Sequence, residues 1–400
     1  MVTIIAFIVI LGIIIFVHEL GHFLAAKISG VGVETFAFGF PPKIWGKKIK
    51  GTEYKINLVP FGGYVKLLGE GEDPEEVELI NIEKNMDGKK AKKLFDVGTL
   101  HLLFIFSAGV LMNILLAIVA VWLLFMVGFK PIELGALSQK IYPGISGNGG
   151  IHSSLAVKID EVEKSTPADK KGLKAGDIIT KVDGKNVYFS NEVISAIQGV
   201  VTDQGAKVDL TILRDGSEKN YQLLTYKSKL KDSQGKEIEV NRIGIVLETT
   251  GKIQAGPFSA LKASFIACGN ILKFTLIGIG DLFYKIFFHF QLSKNIAGPI
   301  GVIAGTSYYA HLGLTAVIQF AVILSIGVAL FNILPIPALD GGYVAFTIIE
   351  SVIRRRIPTM VKNYLTLAGF ASLIILILIV SYRDFMTFDV GNYLLKLIGK

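Results

Sequence analysis

Hydrophobic positions in this chain fall into a few long unbroken runs, separated by stretches of a different grain. Residues 3–28 stay apolar long enough to cross a bilayer, since about 20 helical residues span the hydrocarbon and a helix satisfies its own backbone there. Residues 100–128, 313–334 and 363–381 repeat the pattern. Between the first two runs, residues 32–68 interleave Phe36, Phe38, Phe40, Trp45, Tyr54, Phe61 and Tyr64 with glycine and proline, which suits strands and tight turns better than a helix. Residues 70–93 open acidic and close on Lys89, Lys90, Lys92 and Lys93, as a solvated loop does. From 135 to 250 the hydropathy falls and strands such as 207–213 alternate with glycine-containing turns, predicting a folded extramembrane domain. Residues 257–291 are apolar but interrupted by Lys262, Lys273, Asp281, Lys285 and His289, a composition open to either a span or an interfacial amphipathic helix.

The pattern predicts a polytopic α-helical membrane protein with about four transmembrane helices, a membrane-associated β element and an inserted extramembrane α/β domain. Composition agrees: 51% hydrophobic residues in a chain of 400 and a mean hydropathy of +0.54 exceed what a soluble core of that length requires. The net charge of +8, from 41 Lys and Arg against 33 Asp and Glu, is spread through loops and forms no nucleic-acid-binding stripe. It works instead as a topology signal. Cytoplasmic loops carry the excess of Lys and Arg, which places the 70–93 loop and the cluster Arg354, Arg355, Arg356 inside and the folded domain outside. The run at 313–334 then travels inward only if residues 257–291 do not cross, so that segment is assigned to the outer membrane surface. The expected boundaries are 1–130 for an N-terminal membrane core, 131–250 for the extracytoplasmic domain, 251–312 for the amphipathic segment and 313–400 for a C-terminal membrane core. A single cysteine, Cys268, permits no internal disulfide and reads as packing. The first run lacks a basic leader and a small-residue cleavage pattern, so no cleaved signal peptide is expected.

Chemistry concentrates at two places. His18 and His22 lie four residues apart and leave one helix face, the spacing that offers two imidazoles to one divalent cation. Glu19 beside them is placed to take a proton from a water that the cation acidifies. Two histidines and a glutamate near the end of an apolar helix are costly in lipid unless they face a polar cavity or a cation. A catalytic zinc needs a third protein ligand, and Asp340 is the candidate. It follows the span ending at N-I-L-P-I-P-A-L, where Pro335 and Pro337 break the helix; the inward travel of that span brings it to the histidines' side. Its competing role is to cap the next helix. Gly341 and Gly342 read as a tight turn, and Asn332 as a donor to substrate backbone or oxyanion, or as a partner for a freed helix carbonyl. His101, His152, His289 and His311 show no mutual ligand spacing and are expected at surfaces.

H-E-L-G-H in the first span together with N-I-L-P-I-P-A-L-D-G-G in a late one resembles the site-2 protease family of intramembrane zinc metalloproteases, most closely its bacterial RseP-like group. The resemblance implies one zinc ion on His18, His22 and Asp340, Glu19 as general base and Asn332 near the substrate. The segment F-G-G-Y-V-K, residues 61–66, matches the family's membrane-associated β element, implying that Gly62, Gly63, Tyr64 and Val65 pair with an extended substrate; the alternative is that the aromatics only anchor the loop at the interface. Residues 165–184 resemble the family's PDZ domain, with room for one copy, the alternative being a purely structural β-domain. Residues 298–301, G-P-I-G, also match. A departure lies in the second span, where relatives often read A-G-P followed by Asn and this chain has Ala108, Gly109, Val110 and then Asn113, leaving Asn113 without a role.

The implied function is regulated intramembrane proteolysis: hydrolysis of a peptide bond in or near a transmembrane segment of a single-span protein already cut by an upstream site-1-type protease, such as an anti-sigma factor or a remnant signal peptide. The implied setting is the bacterial cytoplasmic (inner) membrane, with the PDZ-like domain outside, the active site toward the cytoplasm, and no nucleic-acid partner. The competing class is a non-enzymatic PDZ-bearing receptor or an ion-coupled transporter, against which stands the absence of a visible paired repeat.

Overall fold

The first apolar run is helix α1, Val2–Ile28, in a computed structural model that describes residues 2–70, 91–134, 137–142, 150–199, 206–231, 237–289 and 298–387. Lys89 and Lys90 of the basic loop lie outside the described residues. Helix α1 closes on Gly30 at φ +76°, and the Val31 amide returns to the Ala26 carbonyl at 2.9 Å, a left-handed termination that glycine permits without strain. Strands β1, Val33–Ile49, and β2, Thr52–Leu67, follow as an antiparallel pair with an unusual double register. Residues 35–38 of β1 pair on one side with 53–56 and on the other with 63–66, because β2 folds back around them. The outer half of β1, residues 43–49, pairs only with 52–57. The expected β element at 32–68 is therefore a small sheet with the 63–66 stretch at its margin.

Next come α2, Thr99–Val127, a short α3, Ser138–Ile141, and the strands β3, Ile151–Ser153, and β4, Ala156–Val162. Then follow α4, Pro167–Lys170; β5, Ile178–Val182; β6, Lys185–Asn186; α5, Ser190–Gln198; β7, Lys207–Arg214; and β8, Ser217–Leu224. The domain ends with β9, Tyr226–Lys231; β10, Glu237–Arg242; β11, Ile245–Thr250; and β12, Ile253–Ala255. Five helices complete the chain: α6, Pro257–His289; α7, Pro299–His311; α8, Leu314–Asn332; α9, Asp340–Ile353; and α10, Thr359–Thr387.

Two compact units emerge, one of residues 1–119 with 271–400 and the other of residues 120–270. The second unit is thus wider than the 131–250 expected for the folded domain, taking in the end of α2 and the first part of α6. Its sheet has the order β11-β4-β5-β7-β8, all antiparallel, with β6 on β5. Inward residues of alternating strands, among them Val157, Ile159, Ile179, Leu210 and Ile212, pack with Val193 and Ile197 of α5 as the two-residue strand period dictates. Asp177, just before β5, meets the Arg214 guanidinium at 2.6 Å. Burial opposes ionisation of that carboxyl, and the Arg214 hydrogen bonds override it, so it sits below its usual range.

In the first unit, Ala25, Ala26, Val31, Val33, Leu67, Ile105 and Ala108 form one buried cluster that ties the end of α1 to both strands and to α2. Small residues make this approach possible: a side chain at Gly21 would run into the Ala108 carbonyl. Close packing of this kind holds helices together where lipid offers no hydrophobic drive.

Five helices among the described residues, α1, α2, α6, α8 and α10, are long and apolar enough to cross a membrane by length and composition, against the four expected. The addition is α6. Its interrupting charges do not break the helix, and Asp281 and Lys285, one turn apart, pair at 2.7 Å. Helix α7 was not expected at all, because its 13 residues are too few to register as a span. Pro299 opens it at the first helical position. Asp384 of α10 accepts hydrogen bonds from the amides of Gly298 and Gly301 at 2.7 and 2.9 Å, so the G-P-I-G motif is a helix start capped from another helix.

Candidate metal centre

His18 and His22 leave the same face of α1 with ring centroids 4.9 Å apart, and both are buried. The His22 Nδ1 lies 2.8 Å from the Ile105 carbonyl of α2. A carbonyl oxygen only accepts, so Nδ1 carries the ring proton and Nε2 presents a bare lone pair. That lone pair faces His18 Nε2 at 3.2 Å and Asp340 Oδ2 at 3.3 Å, while Oδ2 stands 2.9 Å from His18 Nε2. Among the described residues these three form the one group of His, Cys, Asp and Glu whose ligand atoms converge, all within 4.8 Å of one another. Asp340 Oδ2 is buried and, despite those approaches, has no hydrogen-bond partner. The contacts are therefore between ligand atoms, not satisfied hydrogen bonds. Electron-pair donors packed together in a dry site cost several kcal/mol unless a cation sits among them. Donors about 2.0–2.2 Å from a tetrahedral zinc stand about 3.3 Å from each other, which is close to the spacing here. Two imidazoles and one carboxylate with a fourth position left open is a donor set that fits catalytic zinc.

The break after α8 delivers the aspartate. Ala338 takes φ +82°, Leu339 is extended, and α9 begins at Asp340. Asp340 thus sits in the first turn of α9 with its carboxylate aimed at the histidines, so the competing role as the cap of α9 falls to no side chain: the cap position is Leu339 and makes no side-chain cap hydrogen bond. Gly341 and Gly342 serve close approach instead of the turn expected of them, since a side chain at either would strike the carbonyls of Ile333, Leu334 or Ile336. Asn332 Nδ2 lies 3.3 Å from His18 Nε2, within reach of whatever occupies the centre.

Glu19 is held against β2. A side-chain carbon at Gly63 would sit 3.1 Å from Glu19 Cγ and 2.9 Å from the Ala37 carbonyl, and the Val65 backbone lies beside the Glu19 carboxylate. The predicted contact residues divide: Gly63 meets Glu19, whereas Gly62, at φ +110°, packs under the Phe40 ring and the Val65 side chain packs against the Ala25–Ile105 cluster.

The sequence model of peptidase family M50 matches residues 6–376. This chain belongs to peptidase family M50. It is 28% identical over 460 residues to the regulator of sigma-E protease RseP of Escherichia coli, with 95% of this chain and 97% of that one covered. A Nostoc sp. protein provisionally named a zinc metalloprotease is 30% identical over 376 residues, covering 93% of each chain. Among solved structures, the chain is similar to the PDZ domain of the SdrC-like protein Lmo2051 of Listeria monocytogenes, at 26% identity over 23% of this chain and 85% of that one, with a TM-score of 0.18. As an M50 peptidase the protein is an intramembrane zinc metalloprotease with zinc as its cofactor, and the receptor and transporter readings fall away.

Within this M50 centre, several contributors carry no motif of their own. Gly109 lies directly beneath the two rings: a side chain there would strike His22 Nε2 and come within 2.6 Å of His18 Cε1. Ile105 contributes only a carbonyl, which no sequence pattern reveals. Asn113, fully buried, reaches His18 Nδ1 at 3.3 Å, and Ser325 of α8 donates to the Asn113 carbonyl at 2.9 Å. Tyr343 stacks on Phe106 with centroids 5.2 Å apart. The other four histidines, His101, His152, His289 and His311, are exposed.

Proposed function

We propose that His18, His22 and Asp340 hold one zinc ion, that Glu19 is the general base, and that the margin of the β1–β2 sheet presents an unwound substrate segment to them. The observation that carries the reading is the convergence of three ligand atoms on one point with Glu19 one residue from the first of them. When bound, zinc acidifies a water molecule and polarises the scissile carbonyl as a Lewis acid. Glu19 accepts the proton of the attacking water and returns it to the departing amine, a role for which its neighbour on the histidine face positions it. Asn332 donates its amide N–H to the carbonyl oxygen as charge develops there. A transmembrane helix buries its amides in its own hydrogen bonds, so it must be extended before attack. Residues 63–66 offer an edge for strand addition beside Glu19, with Gly63 lending the close approach. Gly62, which has no side chain, and Tyr64 would contribute their backbone groups to that pairing.

The substrates are single-span membrane proteins already shortened outside the membrane, with regulators of sigma factors the first class to test, given that the Escherichia coli relative is named a regulator of sigma-E protease. The second unit, whose six-stranded sheet is packed by α5, acts as a PDZ-like filter on the extracytoplasmic side of a bacterial inner membrane, and the active site opens toward the cytoplasm. Helix α6 lies at the outer surface, since α1 and α8 deliver their C-terminal ends to one depth and that parity requires an even number of crossings between α2 and α8.

The test is cleavage of a single-span reporter by purified protein in detergent or proteoliposomes. Glu19→Gln is expected to lower cleavage about 10²- to 10⁴-fold while zinc stays bound at one equivalent. Undiminished cleavage by that variant would remove Glu19 from the mechanism.

A further inference from the structure

Asn113 is the polar group at the centre that the proposed mechanism leaves unused. It is 0% exposed, one helical turn beyond Gly109 on α2. Its Nδ2 is placed 3.3 Å from His18 Nδ1, and its Oδ1 is buried with no hydrogen-bond partner. That placement conflicts with the chemistry of the centre. If His18 Nε2 faces the cation, its ring proton must be on Nδ1, and an Nδ1–H aimed at an amide NH₂ sets donor against donor. The oxygen and nitrogen of an asparagine amide are assigned from the surrounding network and not by their positions alone. Exchanging them turns the 3.3 Å contact into Nδ1–H donating to Oδ1.

We infer that Asn113 is a positioning residue that accepts the Nδ1–H proton of His18, fixing the ring tautomer and aiming Nε2 at the metal. The inference rests on His18 being a zinc ligand. It completes a symmetry across the pair, because His22 already spends its Nδ1–H on the Ile105 carbonyl, one face of the same helix α2. Both acceptors come from α2, so that helix orients the ligands without touching the metal. The Ser325 hydroxyl bond to the Asn113 backbone carbonyl steadies the turn from which the side chain projects. Partners of this kind tune ligand basicity, and their loss lowers metal affinity about 10- to 100-fold.

The experiment measures zinc affinity by chelator competition on full-length protein, with Co²⁺ substitution as a spectroscopic report on the ligand set. Asn113→Leu keeps the branched side-chain shape and removes the acceptor, and its zinc affinity is expected to fall about 10- to 100-fold with thermal stability of the apo protein near wild type. Asn113→Asp keeps an acceptor on the same side-chain carbon and is expected to hold affinity within about threefold of wild type. Ser325→Ala loosens the α2–α8 link and leaves the acceptor in place, so its affinity is expected to match wild type. Wild-type affinity in Asn113→Leu overturns the inference, as does an equal loss in Ser325→Ala, which would make the effect one of helix packing. Should Asn113→Leu fail to fold, a loss in folded Asn113→Asp as large as that of His18→Ala also overturns it. Absence of zinc from the wild type is a different result, and sinks the metal centre itself.

Discussion

Gly109 shows how much of the centre depends on an atom that is missing. Its α-carbon lies against both imidazoles, and a methyl group there would occupy the space of His22 Nε2 and press on His18. Neither ring can yield, since His22 is tied to Ile105 and His18 faces Asn113 and Asn332. Gly109→Ala is therefore expected to abolish zinc binding, measured by metal content of the purified protein, while helix content by circular dichroism stays unchanged. As an alanine in a helix it should otherwise be favourable by about 0.5–1 kcal/mol, so lost metal with retained or raised melting temperature is the distinguishing pattern. His18, Glu19, His22 and Asp340 were legible as residues because their types and spacing name a chemistry. Gly109 and Ile105 were not, because one acts through absence and the other through its backbone.

At the level of elements, α7 is held by a carboxylate from another helix. Asp384 receives the amides of Gly298 and Gly301 and the Arg383 guanidinium at 2.7 Å, serving two of the donors that the start of any helix leaves open. Asp384→Ala should cost about 1–2 kcal/mol, the usual worth of a helix-start cap, seen as a lower melting temperature in detergent and faster hydrogen exchange at the first turn of α7. Asp384→Asn, which keeps one acceptor oxygen, should fall between. The β1–β2 sheet is the other element whose form exceeds its signal: aromatics and glycines in alternation announce strands, but a strand pairing with both halves of its neighbour depends on where β2 turns back, which local sequence does not specify. The short α7 stayed invisible for a related reason, since length and hydropathy reveal spans and not thirteen-residue helices.

For the whole molecule the decisive quantity is the number of crossings between α2 and α8. With α6 at the surface, single cysteines placed at Gly98 and Arg355 should label from one side of intact vesicles, and those at Asp215 and Leu312 from the other. Labelling of position 312 on the side of position 98 would mean that α6 crosses, and would force a different path into α8. The apolar runs determined by themselves that the chain is a membrane protein, since no soluble core needs four stretches of that length, and H-E-L-G-H with the later P-I-P-A-L-D-G-G named the reaction. What only the tertiary structure decided is the company those motifs keep: the α2 carbonyl and amide behind the imidazoles, the glycine beneath them, the strand against Glu19. The reason is physical. A ligand's identity and its spacing along one helix are local, one turn of backbone being enough to specify them, whereas the acceptors that fix the rings' protons come from positions 83 and 95 residues away, and the gap that admits the rings from the same helix, brought there by packing that no single stretch encodes.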